Sequence, residues 1–419
     1  MGERRAEGSS LGWSKSRRSG NLMRTLRLKM SKDKARQTAL YALTLVMACA
    51  LVSVFPPGYS DSDSSCYSSI AQKLAFQPVE RWCAPQWWGH GYHAGLFQDH
   101  PPGILWLSAV LVRLGIKKTV AALCANFIYS LLSLFFIFRL ARFWWGRIYG
   151  WGAVFGFVLT PIFAQYLIRA NQEPALNLAV VAGVYGLARS RESAGYKALF
   201  IVALVFAVVI KGLSALILSI LALLYWLIAS RNKKTLALVV LAHAITLGAA
   251  VLFEVWYRGI AQTGFWPAYL SFQGERTIGA VLHPWPRIYG FIWYIGRCLW
   301  FAFPWVFFIF FGWAPAIRKS KRNPAGDPFF RFLLVGALAI LLFFSLSDRK
   351  ADRYIFPAYT LLALAGVRML LVIKPKVADF LSRHERSLPV WLAAGLTVFV
   401  FFGVALHSLL NHFIRLWPK

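Results

Sequence analysis

From residue 38 almost to the C-terminus, long apolar runs alternate with short polar and basic ones. The apolar runs fall at 38–56, 102–114, 119–138, 148–168, 174–188, 196–210, 212–229, 235–256, 290–315, 329–347, 353–373 and 388–410. A helix crossing a hydrocarbon core of about 30 Å needs about 20 residues, and most of these runs approach that length. The pattern therefore predicts an all-α polytopic membrane protein with about 11–12 transmembrane helices. The run 102–114 is too short to cross and is expected to form a half-buried or re-entrant helix. Residues 1–37 are polar, basic and serine-rich, without a small-residue cleavage site behind an apolar core, and predict a disordered cytoplasmic tail. A transmembrane module over 38–373 follows, with long polar loops at 57–101 and 257–289, and then a cytoplasmic loop and C-terminal helix over 374–419.

Composition agrees with the pattern and narrows it. Hydrophobic residues make up 58% of the 419, charged residues 15%, and mean hydropathy is +0.55, which excludes a soluble enzyme. A formal net charge of +30 would suit a nucleic-acid partner, but 11 of the 46 Lys and Arg lie before residue 37 and many others sit in short clusters between apolar runs. That arrangement is the positive-inside signature and offers no continuous basic face for nucleic acid. The clusters at 139–147, 189–191, 231–234, 318–322 and 374–376 are assigned to the cytoplasm, provided that one of the two runs between 102 and 138 does not cross. The loops 57–101, 169–173, 257–289 and 347–353 then lie outside, together with the junction at Lys211.

Carboxylates are scarce, and nine of the 16 fall on the outer side under this topology: Asp61, Asp63, Glu80, Asp99, Glu173, Glu254, Glu275, Asp348 and Asp352. Asp61 and Asp63 stand together where the first transmembrane helix emerges. They could act in chemistry or cap an amphipathic interfacial helix that starts near Ser64. Glu173, just before Pro174, is a candidate of the same two kinds, since an acid suits a helix start. Lys211 lies between two apolar runs, and an ammonium at membrane depth needs a partner or an interface. Arg276 and His283 in the second long loop, and Arg349, Lys350 and Arg353 in the SDRKADR loop, are further candidates for holding an anion.

The first long loop sets Trp82, Trp87, Trp88, Tyr92 and Phe97 among polar residues, as an interfacial aromatic belt does. His90, His93, Asp99 and His100 leave a divalent metal open, although no tight ligand motif is present. Cys66 and Cys83 share this loop and are placed for a disulfide in an oxidising compartment. Cys49, Cys124 and Cys298 fall inside apolar runs as small buried hydrophobes.

Five short motifs in order resemble the GT-C membrane glycosyltransferases, in the branch holding the protein O-mannosyltransferases and the lipid A aminoarabinose transferases (glycosyltransferase family 39 and its relatives). Asp63-Ser64-Ser65-Cys66-Tyr67 matches the Asp and Tyr of an Asp-Glu-x-x-Tyr motif in the first outer loop, with Ser64 in place of the Glu. His100-Pro101-Pro102-Gly103 matches a Lys-Pro-Pro, with His for Lys. Glu173 takes the place of a second acid, Lys211-Gly212 matches a Lys-Gly, and Arg353-Tyr354-Ile355-Phe356-Pro357 matches an Arg-Tyr-x-x-Pro opening a late helix. The resemblance covers about residues 38–370.

It implies a GT-C-like fold with interfacial helices in the first outer loop, and transfer of a sugar from a polyprenyl-phosphate donor to a lipid, glycan or protein acceptor at the outer face of a bacterial inner membrane. Asp63 would be the general base, with Glu173 and Asp61 beside it. Tyr67, His100, Lys211, Arg276, His283, Arg349, Lys350, Arg353 and Tyr354 would contact substrate. No resident metal is assigned. A transporter or flippase for a lipid-linked or small substrate is the alternative; such proteins bind near the bilayer midplane and often carry inverted repeats, and no repeat is found here.

Overall fold

A computed structural model describes residues 62–87, 95–167, 169–278, 284–319, 324–347 and 349–398. The tail 1–37, the first apolar run at 38–56, Asp61, His90, His93 and His283 lie outside the described residues. Every regular element among the described residues is helical, as expected.

Two helices of the first loop, α1 (Ser62–Ala75) and α2 (Gly103–Arg113), precede α3 (Lys118–Trp145). Then come α4 (Arg147–Val158), α5 (Pro161–Leu167), α6 (Glu173–Ala188), α7 (Ala194–Lys211), α8 (Leu216–Tyr225) and α9 (Lys233–Ala261). The second loop contributes α10 (Phe265–Ile278), followed by α11 (Pro284–Phe301), α12 (Trp305–Lys319), α13 (Pro328–Ser345), α14 (Phe356–Ile373), α15 (Pro375–Arg383) and α16 (Leu388–Val398). Prolines open α6, α13, α14 and α15 in their first turns, where the missing N–H costs no hydrogen bond. Side-chain caps add to this: Asn232 accepts from the Lys234 N–H at 2.7 Å, and Asp327 from the Phe329 and Phe330 N–H groups at 3.0 and 3.2 Å.

Among the described residues, five helices are long and apolar enough to cross a membrane, or seven if each of two bent pairs counts as one span. The expected run 38–56 lies outside the described residues, and the rest of the difference from 11–12 has identifiable causes. The run 290–315 is broken near residues 302–304 into two helices bent by 103°, and the run 148–168 is bent by 66° between α4 and α5. The helices Gly103–Arg113, Glu173–Ala188 and Leu388–Val398 are short. At a rise of about 1.5 Å per residue, α6 covers only about 24 Å.

Within the bundle α14 is enclosed on nearly all sides, whereas α9 is mostly bare. Exposed Val240, Leu241, Leu247, Leu252, Val255 and Trp256 on α9, with Phe310 and Phe311 on α12, form apolar surface that only hydrocarbon would solvate. The chain is an integral, multi-pass membrane protein.

Among the described residues, the charged side chains inside this apolar packing gather toward two ends, with one hydroxyl–amide bond between them. At one end Arg139 on α3 and Arg189 after α6 both donate to the Tyr185 hydroxyl, at 3.0 and 2.6 Å. Near the ends of α3 and α14, Asp327 takes the Trp145 indole N–H at 2.5 Å and pairs with Arg368 at 3.6 Å. Between the ends, Thr360 on α14 donates to the Asn177 side-chain oxygen on α6 at 2.8 Å, fixing the register of these two helices. The opposite end of α6, α7 and α14 carries Glu173, Lys211 and Arg353. Both ends of α2 stay on that side. Its first residue, Gly103, lies so close to Val209 that a Cβ there would come within 2.7 Å of the Val209 carbonyl oxygen. Its last leads within a few residues into α3, whose Asn126 amide donates to the Arg169 carbonyl.

Candidate active site

Four charged side chains, distant in sequence, form one chain of ion pairs. Asp63 is the second residue of α1. Among the described residues its carboxylate caps no backbone N–H, and it sits 2.6 Å from an Arg353 guanidinium nitrogen. Glu173, the first residue of α6, receives the Lys211 ammonium at 2.7 Å and the Arg353 Nε at 3.8 Å on the same oxygen, Oε1. Asp63, Glu173, Lys211 and Arg353, each picked out in the sequence, are therefore neighbours. Two carboxylates meet two cations, so the cluster is neutral overall.

Solvent access divides the chain in two. Lys211 and Glu173 are 4% and 3% exposed, whereas Arg353 and Asp63 are 27% and 33% exposed. The first pair is a buried anchor, and the second can be reached and opened. A buried carboxylate and ammonium keep their charges only when paired and hydrogen-bonded, which explains why Lys211 is tolerated at the end of an apolar helix. The other oxygen of Glu173, Oε2, is buried without a hydrogen-bond partner among the described residues.

Each charged group is held by local structure. Tyr67 lies one turn after Asp63, so both project from one face of α1, and its hydroxyl accepts from the Gln172 amide at 3.3 Å. The Tyr67 ring stands edge-on to Phe97 and His100, with centroids 6.2 and 6.5 Å apart. Burial raises the Tyr67 phenol well above its ordinary pKa, and the charges of Asp63 and Glu173 raise it further, so it remains a neutral hydroxyl. Ser64 Oγ accepts from the Ala170 N–H at 3.0 Å, tying α1 to the loop that delivers Glu173.

Lys211 ends α7, where its charge suits the helix dipole. Gly212 follows with φ +54°, turning the chain toward α8. Arg353 stands in the 3-10 turn Asp352–Ile355, whose Asp352 carbonyl accepts from the Tyr359 hydroxyl at 3.0 Å. The Tyr354 ring underlies both cations, 5.5 Å from the Lys211 ammonium and 5.8 Å from the Arg353 guanidinium carbon.

Other candidates do not join this cluster. Arg349 is exposed, and Lys350 donates to the Ser345 carbonyl at 3.1 Å and to the Ser347 carbonyl, closing the end of α13. Arg276 belongs to α10, but its side chain, like all of Asp61 and His283, lies outside the described residues. No group of three His, Cys, Asp or Glu that could hold a metal occurs among the described residues.

The anticipated Cys66–Cys83 bridge is not formed: both thiols are free. Cys66 rides on α1, while Cys83 packs with Ala84, Tyr257, Phe265 and Tyr269 and points its sulfur at the Glu80 carbonyl, 3.6 Å away. Burial, followed by the charges of Asp99 and Asp63, pushes the Cys66 thiol up to about 12. Sequence reading missed Ser64, Gln172, Asn126 and Tyr269, which support the site through hydrogen bonds to backbone or hydroxyl groups. Ser64 alone carried a signal, as the departure inside a recognisable motif.

Residues 99–257 match the family described as dolichyl-phosphate-mannose-protein mannosyltransferase, a stretch that holds Glu173 and Lys211. No curated protein matches the chain in sequence. Its structure is similar to that of ArnT from Cupriavidus metallidurans bound to undecaprenyl phosphate, with a TM-score of 0.63 and 16% identity over 88% of this chain and 75% of that one. The apo state of the same protein gives a TM-score of 0.59 at 18% identity, over 90% and 76% of the two chains. The Archaeoglobus fulgidus oligosaccharyltransferase, in complex with Zn and sulfate, gives 0.52 at 15% identity, over 88% of this chain and 53% of that one. The chain therefore shares its fold with ArnT and with the archaeal oligosaccharyltransferase, and its residues 99–257 match the mannosyltransferase family.

Proposed function

We propose that the protein is an integral membrane glycosyltransferase that moves a sugar from a polyprenyl-phosphate donor to an acceptor hydroxyl at the outer face of a bacterial inner membrane. The observation that carries this reading is the ion-pair chain Asp63–Arg353–Glu173–Lys211 at one end of the bundle. A donor of this kind is amphipathic, with its isoprenoid in the bilayer and its phosphosugar at the interface. A charged cluster at helix ends suits it. The basic residues Arg139 and Arg189 lie at the other end of α6, and under the positive-inside rule this supports an outer position for the cluster.

The chemistry follows from the exposed half of the cluster. The donor phosphate competes with the Asp63 carboxylate for the Arg353 guanidinium, with which phosphate makes a strong charge-assisted pair. Drawing Arg353 onto phosphate frees Asp63. The Asp63 carboxylate then takes the proton of the acceptor hydroxyl as its oxygen bonds to the anomeric carbon. The bond from that carbon to the phosphate oxygen breaks, and the polyprenyl phosphate leaves with its charge compensated by Arg353 and Lys211. Glu173 stays paired with Lys211 throughout and holds it in place.

The test is transfer of labelled sugar from a polyprenyl-phosphate donor in proteoliposomes. Asp63→Asn should lower the rate by about 10²- to 10⁴-fold, the usual contribution of a general base, with the protein still folded. Near wild-type turnover would remove Asp63 from the mechanism. Failure of the wild-type protein with every polyprenyl-phosphate sugar offered would remove the transferase reading itself.

A further inference from the structure

The second long loop reaches the charged cluster through one phenol. Tyr269 on α10 is 2% exposed, and its hydroxyl meets the backbone on both sides of Gly212. It accepts from the Leu213 N–H at 3.0 Å and donates to the Lys211 carbonyl at 3.3 Å. The position between them is spatially closed, since a Cβ on Gly212 would lie 2.4 Å from the Tyr269 hydroxyl oxygen. The phenol thereby bonds backbone groups on both sides of the turn at the end of α7. The Tyr269 ring is in turn fixed by stacking on Phe265, with centroids 5.6 Å apart and planes 11° from parallel. Gln273, one turn along α10, donates to the Asp99 carbonyl at 3.2 Å and ties the same helix to the first loop.

We infer that Tyr269 is a positioning residue for Lys211, setting the depth of its ammonium and thereby the strength with which the cluster holds a lipid phosphate. The phenol touches neither Glu173 nor Arg353 in any described contact, so it acts through the Lys211 backbone. Lys211 is the last residue of α7, where a freed carbonyl and a loosened turn would let the side chain swing off Glu173. The inference rests on the proposed donor, but its structural half, the coupling of Tyr269 to the Lys211–Glu173 pair, does not.

The test is a double-mutant cycle with two readouts. Tyr269→Phe removes one oxygen and keeps the ring, and the background is Lys211→Met with Glu173→Gln, which removes both buried charges together. Binding of undecaprenyl phosphate in nanodiscs should weaken at least threefold on Tyr269→Phe in the wild-type background and by less than 1.5-fold in the neutral background. In parallel, Tyr269→Phe should lower the unfolding midpoint more in the wild-type than in the neutral background. Equal effects of Tyr269→Phe on unfolding in both backgrounds overturn the inference. So does equal weakening of lipid binding in both. If the wild-type protein binds no undecaprenyl phosphate, the donor reading falls, and the unfolding cycle alone decides whether Tyr269 acts through Lys211.

Discussion

Removing the Lys211 charge should separate the stability of the site from its function. In the wild-type protein the ammonium lies 2.7 Å from Glu173 Oε1, with both side chains almost fully enclosed. At an effective dielectric constant of about 20 the attraction is about 6 kcal/mol, and desolvation of both ions offsets much of it. Lys211→Met leaves Glu173 buried without that partner. Stranding one charge of a buried pair costs about 3–5 kcal/mol, and Arg353, whose Nε is 3.8 Å from the same oxygen, moderates the loss toward the lower figure. A loss of about 3 kcal/mol is a large part of a typical folding stability of about 5–15 kcal/mol. Lys211→Met should therefore unfold well below the wild-type midpoint in a detergent or nanodisc melt, while Lys211→Met/Glu173→Gln, with no stranded charge, should recover most of the difference. Donor binding should stay measurable but weaker than wild type in both variants, and the KM for donor should rise more than that for acceptor. A single variant as stable as the double one would refute the view that Lys211 and Glu173 form a buried, mutually dependent pair.

Three further outcomes are expected. With its thiol held near 12, Cys66 as the sole cysteine should react with maleimide at pH 8 about a thousandfold more slowly than a thiol of ordinary pKa, and unperturbed labelling would contradict its burial beside Asp99 and Asp63. Gly212→Ala forces a side chain onto a positive φ and against Tyr269, so it should cost about 1–3 kcal/mol and weaken donor binding; a melt and a binding curve check both. Single cysteines at exposed Glu80 and Lys233 in a cysteine-free background test sidedness: Glu80 should label with an impermeant reagent from outside and Lys233 only after permeabilisation, and the reverse pattern would invert the orientation.

The apolar runs by themselves determined that this is a helical membrane protein, because in hydrocarbon every backbone polar group must be satisfied within its own segment, and that constraint writes itself into local sequence. They also singled out 102–114 as shorter than a span requires. Scarcity made Asp63, Glu173, Lys211 and Arg353 legible one by one, since charges near membrane depth are retained only for a reason, and five motifs in order supplied the likeness to a superfamily. Sequence could not say that a run such as 290–315 would bend into two helices, because that depends on what packs against the break. It placed Lys350 with Arg353 in one loop, yet the first closes a helix end and the second pairs with Asp63, a difference set by where the turn after α13 directs each side chain. It joined Cys66 to Cys83 by proximity along the chain, whereas packing carries them into separate clusters. Only the tertiary structure decided that one carboxylate oxygen serves two cations, that one ion pair is sealed while its neighbour stays open, and that a tyrosine 58 residues beyond Lys211 holds the turn behind it. Such contacts depend on distances between segments that meet only when the bundle closes, and no local pattern of residues encodes them.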